Sequence, residues 1–405
     1  MNEGQEAMPA GLTAVFAVAC GLMVANLYYA QALIGEIAPA LGMHDTIAGL
    51  IVTLTQLGYG AGLLFIVSLA DLVENKRLIL TLLGGATMGL LGILFARNAM
   101  TFLIFSFLTG FCSVGAQVLV PLAAHLAPEH RRGRVVGNIM GGLIAGIMLA
   151  RPVANGLAVI GGWRLIFGAS AAASLILAAV LAFALPQRRP TPGLHYGQIL
   201  HSSLTLLLRT PVIRRRTAYQ MSLFAAFNLF WTAVPLLLAR QFGLGQIGIG
   251  LFALAGAGGA LAAPIAGRAA DRHYIRSSTL ASLAAAMAAC LLAGWSAAAH
   301  ALIALAIAAI ALDAATQFNQ VVGQRVLYSI RPEARGRINA SYMTCVFLGG
   351  AIGSSLAGWT FSHGGWWMTA LTGAALLGPA LILFLTEDQA SATMPSRQGA
   401  PPDAH

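Results

Sequence analysis

The stretch RGRVVGNIMGGLIAGIMLARPVANGLAVIGGW (132–163) decides the fold, because both of its ends return 203 residues later. RGR (132–134) recurs as RGR (335–337), and GGW (161–163) recurs as GGW (364–366). A period of this length is far too long for a solenoid or propeller unit. Two copies of a half-protein in a strongly apolar chain indicate a membrane transporter built from repeats.

The composition requires lipid as the main solvent. Of the 405 residues, 58% are hydrophobic and 9% are charged, whereas soluble domains carry roughly 25% charged residues. Twelve continuous apolar runs are each about as long as a bilayer-crossing helix, which needs roughly 20 residues. They are 12–35, 46–70, 78–96, 101–126, 135–160, 163–185, 217–239, 247–267, 278–297, 301–324, 338–361 and 366–386. The sequence therefore predicts an all-α membrane protein with twelve transmembrane helices in two pseudo-symmetric six-helix bundles.

The basic residues are distributed unequally between alternate loops. If the amino terminus is inside the cell, inner loops and helix ends carry eighteen Lys and Arg residues. The outer side carries three, namely Arg97, Arg164 and Arg240. This bias predicts a multi-pass protein of the bacterial inner membrane with both termini cytoplasmic. The net charge of +10 is then a signal of topology and requires no nucleic-acid partner.

Composition also predicts where the chain divides. Residues 1–186 are expected to form the first six-helix bundle and residues 214–387 the second. The connecting segment 187–213 contains a stretch, 194–209, that suits either a short helix on the inner membrane surface or a simple spacer. The tail 388–405 is rich in Ser, Pro, Gln and Ala and is expected to be disordered. We expect the protein to act as a monomer in the lipid.

Several function classes are disfavoured by missing patterns. All four cysteines fall inside predicted spans, so a disulfide framework is not expected, and no paired metal-ligand spacing occurs. The sequence has no phosphate-binding pattern Gly-x4-Gly-Lys-Ser/Thr that would indicate ATP use. No nucleophile and base form a recognisable constellation. The sequence predicts neither an enzyme nor a cofactor.

Loop motifs resemble those of the major facilitator superfamily along essentially the whole chain. GRAADR (267–272) is similar to that family's loop signature Gly-x-x-x-Asp-Arg-x-Gly-Arg, and the first half keeps Asp71 of the same motif. PEHRRGR (128–134) and PEARGR (332–337) resemble the loops that follow helices four and ten in the family. The resemblance implies two helical bundles around a midplane cavity lined by helices one, four, seven and ten, and transport by alternating access.

Three further segments resemble one bacterial branch of that superfamily, the drug:proton-antiporter-like exporters. They are NLYYAQ (26–31), LDAATQFNQ (312–320) and FLGGAIGSSLAG (347–358). Ala150 and Arg151 stand where the antiporter signature on helix five has Gly-Pro. The branch implies proton-driven efflux of a small organic compound. Nutrient uptake by a proton symporter or uniporter, and a non-transporting membrane sensor, are the alternatives.

Asp313 is the acidic residue that falls near the middle of a predicted span. A carboxylate in hydrocarbon must be paired, protonated or facing a water-filled cavity, and one that alternates between these environments can carry a proton. Asp313 is therefore the leading proton-coupling candidate, with a permanently paired structural role as the alternative. Arg151 is the basic residue deep in a span; it lies about 13 Å from the outer end of its helix, and Asp313 about 18 Å from the end of its own. Arg151 is the second proton-coupling candidate: it could pair with Asp313 directly or through water, in a contact that holds one conformation and breaks when a proton or substrate arrives. The alternatives are that Arg151 extends outward or binds a substrate anion.

Polar and aromatic side chains recur on the spans that correspond to helices one, four, seven and ten. Gln317 and Gln320 follow Asp313 on one helical face, at i+4 and i+7. Aromatic rings combined with a few amides suit a flat, weakly polar organic substrate. The predicted substrate-binding residues are Asn26, Tyr29, Gln31, Gln117, Asn228, Trp231, Gln317 and Gln320.

Charged residues at the predicted cytoplasmic helix ends are candidates for an inner gate. An acidic side chain there can form charge-assisted contacts with neighbouring basic groups when the inner side closes. Helix capping is the alternative role for the acidic members. The predicted gating residues are Asp71, Arg134, Asp271, Arg272 and Arg337.

Overall fold

The computed structural model describes residues 10–70, 72–186, 195–256, 258–259, 262–272, 274–331 and 334–387. Three predicted features lie wholly or partly outside the described residues, namely Asp71, the part 187–194 of the connecting segment, and the tail 388–405. The side chain of Asp271 also lies outside them.

Helices follow one another through short turns in both halves of the chain. The first half contains α1 (Ala10–Ala25), α2 (Tyr29–Ala32), α3 (Ile34–Ala40), α4 (Asp45–Ala48), α5 (Leu50–Phe65), α6 (Asn75–Leu94), α7 (Ala99–Cys112), α8 (Gly115–Leu126), α9 (Arg132–Gly161) and α10 (Arg164–Ala184). The connecting helix is α11 (Tyr196–Arg209). The second half contains α12 (Pro211–Arg240), α13 (Gln246–Gly256), α14 (Ala262–Asp271), α15 (Ile275–Ala298), α16 (Leu302–Ile330) and α17 (Arg335–Leu385).

Nine helical stretches within the described residues are long and apolar enough to cross a membrane. Two shorter apolar helices, Gly11–Ala25 and Gln246–Gly256, accompany them. The longest stretch, α17, has 51 residues. At 1.5 Å per residue it would measure about 77 Å, more than twice the roughly 30 Å of a bilayer core. The all-helical membrane fold is confirmed, whereas the total of twelve spans in two bundles stays a prediction.

The repeated GGW sequence marks an equivalent change of direction in each half. Gly162 and Gly365 have φ angles of 72° and 61°, a left-handed conformation that glycine adopts without a steric penalty. The first lies between α9 and α10, and the second interrupts the helical geometry of α17. Trp163 and Trp366, which follow these glycines, are both buried. The repeat therefore encodes a turn followed by an aromatic anchor.

The two ends of the helical bundle differ in charge. The end that carries Arg131, Arg134, Arg214 and Arg335 is called the basic end below. The opposite end, which carries Arg240, is called the far end.

The two halves of the chain are in tight contact at the far end. A carbon added at Gly49 would overlap the carbonyl oxygen of Ser354, and one added at Gly358 would overlap that of Asp45. An ion pair also joins the halves there, because Nη2 of Arg240 lies 2.7 Å from Oδ2 of Asp45. Small residues permit this close approach of helix backbones, which is the usual source of helix association in lipid.

Space remains between the halves at the basic end. A cavity of about 220 Å³ there is lined by residues of the first half, including Ser68, Asn75 and His125, and by Arg337 and Ala340 of the second. The structure thus represents a state that is closed at the far end and has a cavity of about 220 Å³ at the basic end.

The predicted connecting segment contains the helix α11, which contacts both halves at the basic end. The Tyr196 hydroxyl donates to the carbonyl oxygen of Phe65 at 2.9 Å. Nη1 of Arg337 donates to Oγ of Ser202 at 3.0 Å. Ile199 is buried and lines the 220 Å³ cavity. The helix thus borders this cavity as well as connecting the halves.

Candidate functional site

Asp313 lies near the middle of α16 and is buried, with 7% of its surface exposed. The indole Nε1 of Trp231, on α12, donates to Oδ1 of Asp313 at 2.7 Å. A hydrogen bond to an ionised carboxylate is about twice as strong as one between neutral groups. The carboxylate predicted to carry the proton therefore has an indole as its hydrogen-bond donor.

Two glycines allow this pair to form. A carbon added at Gly256 would overlap the ring of Trp231, and one added at Gly259 would overlap Cβ of Asp313. Because neither glycine has a side chain, Gly256 at the end of α13 packs directly on Trp231, and Gly259 packs directly on Asp313. The aromatic environment is completed by Phe230 and Phe252, whose ring centroids lie 5.5 and 6.1 Å from that of Trp231.

Arg151 lies on α9 in the first half and is also buried, with 6% of its surface exposed. Its Nε and Nη2 atoms both donate to Oε1 of Gln31, at 3.2 and 2.9 Å. The guanidinium carbon lies 4.3 Å from the ring centroid of Trp231, 5.1 Å from that of Tyr28 and 5.6 Å from that of Phe227. Aromatic faces attract a cation at such distances, more strongly where water is excluded.

Asp313 and Arg151 do not form a direct ion pair in this state. None of the ion pairs within the described residues joins them. Trp231 contacts both instead, with its N–H on the carboxylate and its ring on the guanidinium. The opposite charges are linked by an aromatic side chain rather than by a hydrogen bond between them.

A network of amides joins the two halves beside Arg151. Nε2 of Gln31 donates to Oδ1 of Asn228 at 3.4 Å and to Oγ1 of Thr232 at 3.2 Å. Nε2 of Gln56 donates to the same Asn228 oxygen at 2.9 Å. Gln31 and Gln56 belong to the first half, and Asn228 and Thr232 to α12 of the second. Any separation of the halves at this level must break these bonds.

A second polar cluster lies on α16 and α12. Nε2 of Gln220 donates to the carbonyl oxygen of Thr316 at 3.2 Å and to Oε1 of Gln320 at 3.5 Å. Nδ2 of Asn319 donates to Oε1 of Gln220 at 2.8 Å. Asp313, Thr316 and Asn319 are buried, whereas Gln317 and Gln320 are half-buried. The most deeply buried face of α16 is thus rotated about the helix axis relative to the predicted stripe of Asp313, Gln317 and Gln320.

The remaining predicted substrate residues contact the first half. Nδ2 of Asn26 donates to Oγ of Ser113 at 3.5 Å. Oγ of Ser170 donates to Oδ1 of Asn26 at 2.8 Å. These bonds hold the break between α1 and α2. The Tyr29 ring meets the ring of Phe167 edge-on at 6.4 Å.

Gln117 occupies a different position, on the wall of the 220 Å³ cavity. Its Nε2 donates to the Tyr59 hydroxyl at 3.3 Å. Gln117 therefore faces a space that a small molecule can enter, unlike Asn26 and Tyr29.

Among the predicted gating residues, Arg337 is the one with a described contact, its hydrogen bond to Ser202. It also lines the cavity at the basic end. Arg134 and Arg272 are exposed at that end. Within the described residues, the gating candidate Arg337 is thus hydrogen-bonded to the connecting helix α11.

Two amides and one buried ion pair were missed by the sequence reasoning. Gln56 and Gln220 are fully buried and take part in the contacts above; each is a polar residue inside an apolar run, which is the signal that could have found them. Nη2 of Arg216 lies 3.5 Å from Oε1 of Glu387, and both side chains are buried. Their positions at the ends of apolar runs gave no sign that they pair.

Comparisons with known proteins bear on the family and the fold. The sequence pattern of the Major Facilitator Superfamily matches residues 12–227 and 217–402. The chain is 40% identical over 380 residues to the uncharacterized transporter YgaY of Escherichia coli O157:H7, which covers 93% of this chain and 95% of that protein. It is 30% identical over 367 residues to the probable transporter SCO4007 of Streptomyces coelicolor, which covers 90% of this chain and 84% of that protein.

The fold is similar to that of a solved bacterial homologue of the human lysosomal transporter Spinster, in an inward-facing and occupied conformation. The TM-score is 0.71, over 94% of this chain and 97% of that chain, with 13% sequence identity. At this level of identity the likeness concerns the fold alone.

Proposed function

Because this chain belongs to the major facilitator superfamily, whose members are transporters and not enzymes, we propose that it exports a small organic compound in exchange for protons. We place it in the bacterial inner membrane with both termini in the cytoplasm, which the excess of basic residues at one end supports. The basic end then faces the cytoplasm, and the 220 Å³ cavity lies on the cytoplasmic side.

One observation carries the proposal of proton coupling. Asp313 is a buried carboxylate near the centre of a membrane helix, and it is linked through Trp231 to the boundary between the halves. A carboxylate at such a depth is costly unless its charge is compensated or neutralised by a proton. A proton on Asp313 removes the negative charge next to Trp231 and Arg151, so its arrival changes the forces at that boundary.

The substrate proposal follows from the side chains around Arg151. The rings of Tyr28, Phe227 and Trp231 surround the guanidinium, and the amides of Gln31 and Asn228 adjoin it. Pockets with several rings and a few oriented polar groups suit flat organic molecules of low polarity. We propose that such a molecule enters from the cavity beside Gln117 and binds against these rings once the halves begin to separate.

Export is proposed in preference to uptake because three segments resemble the drug:proton-antiporter branch. These segments include NLYYAQ (26–31), which contains Gln31, and LDAATQFNQ (312–320), which contains Asp313. The proposed coupling and binding residues thus lie in the segments that carry the resemblance.

Flux into proteoliposomes tests the proposal. A thermal-shift screen of planar organic compounds on the purified protein supplies a ligand, and its radiolabelled form is then added outside vesicles with an imposed pH gradient. Exchange with protons predicts accumulation when the interior is acidic. Accumulation with an alkaline interior would instead indicate symport, and entry that only equalises the ligand concentration, whatever the gradient, would indicate uniport.

An Asp313→Asn variant separates coupling from binding. We expect it to lose accumulation driven by the pH gradient but to keep the exchange of labelled for unlabelled ligand, because the amide cannot take up the proton. Glu129→Gln makes the same chemical change at an exposed position and should behave as the unmodified protein. Full gradient-driven accumulation by Asp313→Asn would refute the coupling role.

A further inference from the structure

Trp231 contacts the two buried charges with different parts of its side chain. Its N–H donates to Asp313, in the same half of the protein, at 2.7 Å. Its ring lies 4.3 Å from the guanidinium carbon of Arg151, in the other half. We infer that Trp231 transmits the protonation state of Asp313 to the boundary between the halves, an inference that rests on the proposed proton coupling.

Only an indole can make both contacts in this geometry. Tryptophan combines an N–H donor with a large aromatic face that attracts cations. A phenylalanine at this position would keep an aromatic ring near Arg151 but would have no N–H to donate to the carboxylate. Within the described residues, the charged and titratable groups that interact electrostatically with Asp313 are Arg151, from α9, and Tyr28, which precedes α2.

The contact chain explains how a proton affects the opposite half. While Asp313 is ionised, its bond to Nε1 holds the ring of Trp231 against Arg151, and Arg151 in turn holds Gln31, which donates to Thr232 across the boundary. A protonated carboxyl accepts a weaker hydrogen bond. The ring is then free to rotate, Arg151 loses its nearest aromatic face, and the contact between the halves weakens.

A bound substrate acts on the same ring from the other side. A planar molecule that binds among the rings of Tyr28, Phe227 and Trp231 must displace Trp231 from Arg151. Either ligand therefore releases the contact, whereas the unoccupied, ionised protein keeps it. A carrier that reorients with either ligand but not when empty exchanges the two ligands, which is the condition for antiport.

The distance between the two halves at the far end gives a direct test. Cysteines introduced at the exposed residues Ala40 and Ala239 carry spin labels, in a background without the four native cysteines. Distance distributions are recorded by pulsed electron paramagnetic resonance from about pH 5 to about pH 9, a range that spans the titration of a buried carboxyl. No substrate is added, so the readout depends on protons alone.

Trp231→Phe is compared with Trp366→Phe. The indole N–H of Trp366 donates to the carbonyl oxygen of Ala293 at 2.8 Å, and Trp366 is also buried, so both variants lose one buried indole donor. We expect the ratio of long to short distances to change roughly tenfold or more across the pH series in the unmodified protein, about the effect of one hydrogen bond to a charged group. Trp366→Phe should keep this response, and Trp231→Phe should lose it and show the long distance at every pH.

The outcomes distinguish this inference from the proposed function. A normal pH response in Trp231→Phe, or its loss in both tryptophan variants, overturns the specific role of Trp231. If Asp313→Asn keeps the pH response of the unmodified protein, or if the unmodified protein shows none, the proposed coupling role of Asp313 fails instead.

Discussion

Nη2 of Arg151 lies 2.9 Å from Oε1 of Gln31, so a buried cation is held by a neutral amide rather than by the buried carboxylate of Asp313. This amide also donates to Asn228 and Thr232 in the opposite half. The position of the cation is therefore coupled to the contact between the halves.

Replacing Arg151 by lysine should impair exchange although the charge is kept. Lysine cannot place two donors on one amide oxygen while its charge lies flat on an aromatic ring. We expect ligand exchange in proteoliposomes to fall about tenfold, the equivalent of one hydrogen bond to a charged group. Arg164→Lys is the matched control, because that arginine also lies over a ring, 4.2 Å from the centroid of Trp163, but far from Asp313. An equal loss in both variants would contradict the specific role of Arg151.

An added methyl group at Gly259 should reduce stability and transport together. The new carbon would overlap Cβ of Asp313, and overpacking of this kind costs about 1–3 kcal/mol. A Gly258→Ala change meets no atom within 4 Å and should be tolerated. The melting temperatures of the two purified variants test this prediction. Equal values would show that the backbone at Gly259 can move away from Asp313.

The ion pair between Asp45 and Arg240 should bias the far end toward closure without adding much stability. Both side chains are partly exposed, at 33% and 52%, and such pairs contribute about 0–1 kcal/mol. Asp45→Asn should increase the population with a long distance between labels at Ala40 and Ala239, and added salt should have a similar effect. A charge swap, Asp45→Arg with Arg240→Asp, should restore the short distance. No change of distance in Asp45→Asn would show that the glycine contacts alone hold the far end.

The ion pair of Arg216 and Glu387 should matter for stability rather than for coupling. Both groups are buried, and Oε2 of Glu387 also accepts from the Tyr219 hydroxyl at 3.2 Å. Removing one partner of a buried pair costs about 3–5 kcal/mol, because the other charge remains without compensation. Glu387→Gln should therefore lower the melting temperature strongly. Glu74→Gln, in a pair whose arginine is 82% exposed, should change it little.

The sequence was sufficient where one helix or one turn decides the outcome. Gly162 and Gly365 were identifiable from the repeat, and their positive φ angles depend on the local backbone. Asp313 was identifiable because a carboxylate inside an apolar run is unusual whatever surrounds it. Its hydrogen-bond donor was not identifiable, because Trp231 lies on another helix and faces Asp313 only after α12 and α16 pack together.

Helical phase shows the same limit. Spacing placed Gln317 on the face of Asp313, yet Thr316 and Asn319 are the more deeply buried residues of α16. The contacts between α12 and α16 decide which part of the polar face of α16 turns inward. These contacts cannot be predicted from the sequence of α16 alone. Asn26 is a similar case, since its partners Ser113 and Ser170 lie on or beside other helices.

The sequence by itself determined that this protein lies in lipid, that it is duplicated, and that it belongs among facilitator-type transporters. These properties follow from the length of apolar runs, the placement of basic residues and the recurrence of short motifs, all of which can be read along one dimension. Only the tertiary structure decided that Trp231 separates Asp313 from Arg151 and that Gln31 connects Arg151 to the second half. Those contacts depend on distances between helices that are far apart in the chain, and close packing of side chains sets such distances.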